Sequence, residues 1–256
     1  MKRVRIIPAL LIQGGGLVKS IKFKEHKYVG DPINAVRIFN EKEVDEIVVL
    51  DISATAEKRP PNIQQVREIA SEAFMPLGYG GGITKLDEIR ELIASGVEKV
   101  VLNSSAFVNP NLVTEGAKYV GSQSMVVSID VKKNLWGKYK VYVQNGNKNT
   151  HLDPVDFAKQ MESAGAGEIF LNSIDRDGTF SGYDTALISA VSSKLNIPLV
   201  AIGGAGNLTD FANAIQHGAS AVSAGSMFVF QRPHRAVLIS YPSQKELKEN
   251  LFTKVV

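Results

Sequence analysis

The sequence predicts an α/β fold, a closed barrel of eight parallel strands wrapped in helices, on three observations. Short, continuously apolar, β-rich runs recur along the chain with amphipathic stretches between them, the pattern of parallel strands covered on both faces. The chain has 256 residues, about what a (β/α)8 (TIM) barrel needs. The sequence also repeats itself at one constant spacing, so the units fall into two similar groups of four. An open doubly wound sheet is the alternative; eight units in this length favour closure.

In chain order the strand segments are Val4–Leu11, Glu46–Ile52, Pro76–Gly81, Lys99–Asn103, Met125–Asp130, Glu168–Ile174, Pro198–Gly203 and Ala219–Ala224. Leu86–Ala94 and Gln244–Leu251 are representative of the helical stretches. The repeat is explicit. Asp31-Pro32 returns as Asp153-Pro154, an offset of 153 − 31 = 122. The same offset carries Glu46 to Glu168, Pro76 to Pro198, Gly81-Gly82 to Gly203-Gly204, Gly96 to Gly218 and Ser104 to Ser226. Each half is therefore read as four βα units, about 1–120 and 121–256. No linker or low-complexity stretch divides them, and the expectation is a single domain over 1–256.

Composition bounds the function. The chain is 44% hydrophobic and 21% charged, with a net charge of +3. That mild basicity suits anionic small substrates and is too weak to indicate nucleic acid. Cysteine is absent, so disulfides and thiol chemistry are excluded. The start, Met1-Lys2-Arg3-Val4, runs into a strand without a signal-peptide core, and no apolar run approaches the roughly 20 residues of a membrane span. The expectation is a cytoplasmic protein with no membrane partner. His26, His151, His217 and His234 show no ligand spacing, so neither a metal nor another cofactor is expected.

Two glycine-rich loops carry the clearest chemistry. Gly80-Gly81-Gly82 ends strand three, and Gly203-Gly204-Ala205-Gly206 ends strand seven. Glycine lets backbone N–H groups approach an oxyanion, and the helix that follows each loop is expected to add N-terminal donors. The next strands end in Asn103-Ser104-Ser105 and Ala224-Gly225-Ser226, whose small hydroxyl residues complete each cup. Phosphate sites of this fold are often built after strands seven and eight. Here a second copy follows strands three and four, so a ligand with two phosphates is expected.

Carboxylates at strand C-termini of this fold read as catalytic. Asp130 ends strand five and is the candidate general acid or base. Asp51 ends strand two, either in substrate binding or as a buried strand cap. Asp177-Gly178 follows strand six, and Lys19 follows strand one, where an ammonium could hold an anionic substrate. At the opposite end, Arg5, Glu46, Lys99 and Glu168 each begin a strand. They should converge on the barrel bottom and pair, because buried charges are not left alone. A structural plug and a gate on a route through the barrel are both open on this evidence.

Several segments resemble a known family. Arg5-Ile6-Ile7-Pro8, Gly30-Asp31-Pro32, Val49-Leu50-Asp51-Ile52, Gly80-Gly81-Gly82-Ile83, Gly165-Ala166-Gly167-Glu168-Ile169, Ser173-Ile174-Asp175-Arg176-Asp177-Gly178-Thr179 and Gly203-Gly204-Ala205-Gly206 are similar to the cyclase subunit of imidazole glycerol phosphate synthase, the HisF family. The resemblance implies a glutaminase (HisH-like) partner on the bottom of the barrel. It also implies ammonia passing a gate of Arg5, Glu46, Lys99 and Glu168, and attack on a bis-phosphorylated ribulosyl substrate at the top. Glu98 and Gln123 fall where the family meets that partner. The family uses two catalytic aspartates. Asp130 matches the second, but the first position, in Ala9-Leu10-Leu11-Ile12, is Leu11. Gly78 stands where the family usually has a hydroxyl residue. The Gln13–Lys19 loop and the 228–242 segment resemble a HisF-like branch tied to amidated sugars of surface polysaccharides, in which the barrel serves a separate sugar amidotransferase. Three readings follow: a HisF-type ammonia-handling subunit specialised for sugar amidation, an authentic histidine-pathway cyclase, and a non-enzymatic scaffold.

Overall fold

A computed structural model describes residues 4–231 and 233–255. Met1, Lys2, Arg3 and Arg232, which belong to the terminal segments read above, lie outside the described residues. Eight parallel strands form the barrel: β1 (Arg5–Gln13), β2 (Ile47–Asp51), β3 (Leu77–Gly80), β4 (Lys99–Leu102), β5 (Met125–Lys133), β6 (Glu168–Ser173), β7 (Leu199–Ile202) and β8 (Ala221–Ala224). Each pairs in parallel with the next, and Arg5–Pro8 of β1 pairs with Ala221–Ala224 of β8, which closes the sheet. All eight expected strands are present, with ends that coincide or differ by at most three residues.

The helices on the outside are α1 (Pro32–Glu41), α2 (Ile63–Glu72), α3 (Leu86–Ala94), α4 (Ser104–Val108), α5 (Asn111–Val120), α6 (Pro154–Ala164), α7 (Thr185–Ser192), α8 (Leu208–Gln216), α9 (Ser226–Val229) and α10 (Gln244–Leu247). The repeated Asp-Pro pair has a local cause. Asp31 and Asp153 are N-caps whose carboxylates accept from Asn34 N and Val155 N, both at 2.8 Å, and a proline fills the first helical position. A fixed φ and an N–H that would be unpaired anyway suit proline there. The helix expected over Gln244–Leu251 starts as α10 and continues as a π turn over Lys248–Phe252.

Strand alternation sorts the side chains into two cores. The large one lies between strands and helices and includes Phe39, Phe211 and Phe228. The small one fills the barrel: Ile7, Ala9, Val48, Val101, Val126, Phe170, Val200, Ile202 and Ala221, with Leu50 against it. Because side chains alternate with period two, Arg5, Ile7, Ala9 and Leu11 share the inward face of β1. Lys99, Val101 and Asn103 share that of β4, and Glu168, Phe170 and Asn172 that of β6. The bottom charges, the apolar lumen and the upper rim are thus successive layers on one face.

Two hairpins at the upper end are absent from the sequence expectation. β1 continues into antiparallel strands Gly16–Ile21 and Lys24–Gly30, and β5 into Tyr139–Val143 and Lys148–Asn149. They sit at matching places in the two halves. The second was legible: Tyr139–Val143 alternates and is followed by Asn145-Gly146, a hairpin signal.

Candidate active site

Leu11, Lys19, Asp51, Gly81, Gly82, Asn103, Ser104, Asp130, Asp177, Gly178, Gly203, Gly204, Gly225 and Ser226 all line one cavity of about 590 Å3 at the C-terminal ends of the strands. A chain that scatters these residues over more than 200 positions gathers them because every one follows or ends a barrel strand.

The glycine loops are alike. Gly81 and Gly203 have φ of +123° and +88°. A Cβ on Gly81 would run into the Asp51 carbonyl oxygen, and one on Gly203 would lie 2.6 Å from Asn172 Oδ1. Only glycine meets both demands at these turns. Gly81→Ala is therefore expected to cost about 1–3 kcal/mol of stability and to weaken binding of inorganic phosphate. Urea denaturation and calorimetric titration read the two effects, and unchanged values in both would remove the steric requirement.

The expected role of the helices after these loops is corrected. Thr84 N and Lys85 N donate to Glu88 Oε2 at 2.6 and 3.0 Å. Gly206 N and Asn207 N donate to Asp210 Oδ2 at 2.8 and 3.1 Å. Glu88 and Asp210 are again 122 apart, and each carboxylate occupies the N-terminus of its own helix, α3 or α8. The cavity wall here is glycine backbone, the capped start of α3 at Thr84, Lys85 and Glu88, and the starts of α4 and α9 at Ser104 and Ser226.

Asp130 is buried at the end of the lumen. Its Oδ2 accepts from Asn103 Nδ2 at 3.0 Å and its Oδ1 from Asn172 Nδ2 at 3.2 Å. Burial pushes its pKa up to about 7; the two asparagine hydrogen bonds pull down against this, and the Asp177 charge adds to the rise. A carboxyl that titrates near neutrality can both give and take a proton. The same shift sets a stability slope. With a folded pKa raised from 3.8 to about 7, the unfolded chain loses this proton first as pH rises, so the group destabilises the fold progressively from about pH 4 to pH 7. Asp130→Asn is expected to flatten that part of the profile, read from urea midpoints at intervals across this range; an identical slope in the variant would contradict the assignment.

Lys19 is buried rather than on the surface. It lies on Gly16–Ile21 and turns inward, donating to the Ala9 carbonyl. A Cβ on Gly225 would meet its Nζ at 2.5 Å, so the small residue makes room for the ammonium. Burial lowers the Lys19 pKa to about 8, against the opposing pull of Asp177. Asp177 accepts from Ser20 Oγ at 3.1 Å, and its own pKa is raised by burial despite Lys19 and that hydrogen bond. Asp51 takes the strand-cap role: it accepts from Ser53 N and Ala54 N, both at 3.1 Å, and pairs with Arg59 at 2.8 Å.

Leu11 sits on the rim opposite Asp130, and the register proves the two positions equivalent. Leu11 lies beside Leu50 of β2, and Asp130 beside Asn172 of β6; 50 + 122 = 172. On the other flanks Ile6 pairs with Val222, and Met125 with Val100, which again differ by 122. The two neighbours therefore agree, and a leucine stands where the second half has its buried carboxylate.

At the lower end, Lys99 Nζ lies 2.9 Å from Glu46 Oε2 and 2.8 Å from Glu168 Oε2. Arg5 reaches Glu46 at 2.5 Å and is also paired with Glu168. Two cations and two carboxylates alternate in a closed ring. Burial alone would lower the Arg5 pKa, but the hydrogen bonds and charges of Glu168 and Glu46 raise it on balance. Gly78 lies in β3 beside Val48 and Lys99.

Comparison with known proteins places this arrangement. Residues 5–233 match the family model described as histidine biosynthesis protein. A Pseudomonas aeruginosa protein provisionally named imidazole glycerol phosphate synthase subunit hisF2 is 50% identical over 96% of this chain and 99% of its own length. A Leptospira interrogans protein, provisionally named imidazole glycerol phosphate synthase subunit HisF, is 49% identical over 98% and 100%. The imidazole glycerol phosphate synthase subunit HisF of Alkaliphilus metalliredigens is 45% identical over 88% and 89%. The chain belongs to the HisF family.

This HisF-family site contains residues that sequence reasoning missed. Asn172 holds one oxygen of Asp130 and Arg59 holds Asp51; Asn103, expected in the first cup, holds the other oxygen of Asp130. Asn172 was reachable, since the repeat equates it with Leu50, but the residue types differ and hid the match. Arg59 carried no signal. Gln144 and Asn145 come from the β5 hairpin across the mouth: Gln144 N donates to Ser104 Oγ at 3.0 Å and Asn145 Nδ2 to the Ile52 carbonyl at 2.5 Å.

Proposed function

We propose that the chain is a HisF-type subunit that receives ammonia from a glutaminase (HisH-like) partner at its lower face and delivers it through the barrel, specialised for amidation in surface-polysaccharide sugar biosynthesis. The observation that carries the specialisation is Leu11 in register with Asp130. Leucine exchanges no proton, so the two-carboxylate machinery of the cyclase reaction is half missing. The provisionally named relatives, at 50% and 49% identity, are also more similar than the Alkaliphilus subunit at 45%.

The apolar lumen between ring and cavity supports the delivery reading. A neutral ammonia molecule crosses a layer of Ile7, Val48, Val101, Phe170 and Val200 more easily than an ammonium ion, because a charge there is not solvated. Arg5, Glu46, Lys99 and Glu168 act as the gate below. Exposed Phe74 and Tyr119, which lie just ahead of β3 and β5, give a partner apolar area beside it. Above, the two glycine cups hold the phosphates of a small substrate, with Lys19, Asp177 and Gly178 between them. The separate sugar amidotransferase is the acceptor of the ammonia. The barrel acts as a single domain in the cytoplasm and uses no metal or cofactor.

The second reading, an authentic cyclase making imidazole glycerol phosphate and aminoimidazole carboxamide ribotide, is favoured by Asp130, whose raised pKa suits proton transfer. Supplying the bis-phosphorylated ribulosyl substrate with ammonium salt at high pH separates the two. The specialised reading expects only background product, whereas robust turnover by the unmodified chain would overturn it.

A further inference from the structure

The hairpin that extends β5 ends in a feature no part of the site uses. Its turn, Asn134–Lys138, carries Leu135 and Trp136 with 98% and 81% of their surfaces exposed. Trp136 is the chain's single tryptophan. The turn is rigid. Asn134 Oδ1 accepts from Trp136 N and Lys138 N, both at 3.0 Å, and Asn134 N donates to the Lys138 carbonyl at 2.9 Å. Gly137 supplies the positive φ, +74°, that the turn needs. Three residues of strand beyond Asp130 carry the turn about 10 Å further along the strand.

The hairpin's own charged side chains, which form the collar of this tip, have one sign. Residues 131–152 contain five lysines and no aspartate or glutamate. Lys133 Nζ lies 4.9 Å from the Tyr139 ring centroid, and Lys132 Nζ 6.0 Å from that of Tyr142. Two acids of neighbouring loops meet the hairpin at the Lys133–Tyr139 pair that flanks the turn, and both are engaged there: Asp175 accepts from Lys133 N at 3.0 Å and Asp184 from the Tyr139 hydroxyl at 2.8 Å. Arg176 stands between these two in sequence and adds to the positive side.

We propose that the Leu135–Trp136 tip with its lysine collar is an insertion point for an anionic lipid surface. The tip is convex, and a fluid bilayer interface accepts a protruding apolar pair without needing a shaped pocket. Tryptophan favours that interface, and each lysine close to anionic lipid adds about a further kcal/mol, which is about fivefold in affinity. Two weak signals together, apolar and electrostatic, are what peripheral attachment requires. No helix among the described residues is long and apolar enough to cross a membrane, so the attachment is peripheral. The sequence expectation of no membrane partner rested on the absent span alone and did not contain the exposure of Trp136. This inference stands apart from the ammonia-delivery reading.

The test uses the full chain and two kinds of vesicle, phosphatidylcholine alone and phosphatidylcholine mixed with phosphatidylserine. Trp136 is its own reporter. Its emission should shift to the blue with the anionic vesicles only, the protein should sediment with them, and added salt should release it. Leu135→Ser with Trp136→Ser, read by sedimentation, should bind about tenfold or more weakly; Lys132→Gln and Lys138→Gln, which keep Leu135, Trp136 and the backbone hydrogen bonds of the turn, about fivefold each. The proposal fails if anionic vesicles neither shift the emission nor sediment the chain, or if neutral vesicles bind equally. It also fails if the tip instead mediates self-association that the serine variants abolish.

Discussion

Leu11→Asp should raise the formation of imidazole glycerol phosphate from ammonium and the bis-phosphorylated substrate by about 10²–10⁴-fold over the unmodified chain. That range corresponds to about 3–5 kcal/mol of transition-state stabilisation. Three observations make the gain reachable by one change. Leu11 lines the same cavity as Asp130 and both glycine cups. It is only partly buried, so a carboxylate there keeps some water. Its register is that of Asp130, so the new carboxylate enters at the symmetry-equivalent height. The gain should fall on kcat, with KM little moved, because the glycine loops proposed to hold the phosphates lie elsewhere. A folded Leu11→Asp chain that binds substrate yet turns over no faster would show that the site has lost more than one carboxylate.

Glu168→Gln should be the most damaging change at the other end, costing about 3 kcal/mol. That is the low end for breaking a buried ion pair, chosen because Arg5 keeps 34% of its side-chain surface exposed and is partly screened by water. Glu168 is the only partner that Arg5 and Lys99 share besides Glu46 among the described ion pairs. Its neutralisation leaves two cations on one carboxylate, in a place where Glu46 already has one oxygen, Oε1, without a hydrogen bond. For a chain of this size the loss reads as a fall in melting temperature of roughly 6–12 °C. If the ring is also the gate, glutaminase-driven product formation should fall by more than formation driven by added ammonium salt. Equal losses in the two assays would leave the ring a structural plug.

The repeat offset explains why so much of the site could be read in advance. A barrel strand ends at its catalytic face, so a residue that ends an apolar run can be placed on that face without knowing its neighbours. This is why Asp130, Asp177 and the two glycine loops fell where expected, and why the four bottom charges could be grouped from their strand-start positions alone. The capping carboxylates Glu88 and Asp210 escaped because a capping box and a vacant helix N-terminus look alike when only the loop is considered. Arg59, the Asn103–Asp130–Asn172 contacts and the exposure of Trp136 depend on where loops of different units meet.

The resemblance to the HisF family marked Leu11 as the place of an absent carboxylate; by itself the sequence determined the eight strands, their parallel order and the two matched glycine loops. Those features follow from hydrophobic period, turn chemistry and spacing along the chain. Only the tertiary structure decided that Lys19 is buried beside Gly225, that Asp130 titrates near pH 7, and that Asp51 caps its own loop. It also decided that two hairpins rise over the mouth and that one of them holds Leu135 and Trp136 in water. Desolvation and close approach are set by what surrounds a group, and those surroundings come from parts of the chain far apart in sequence.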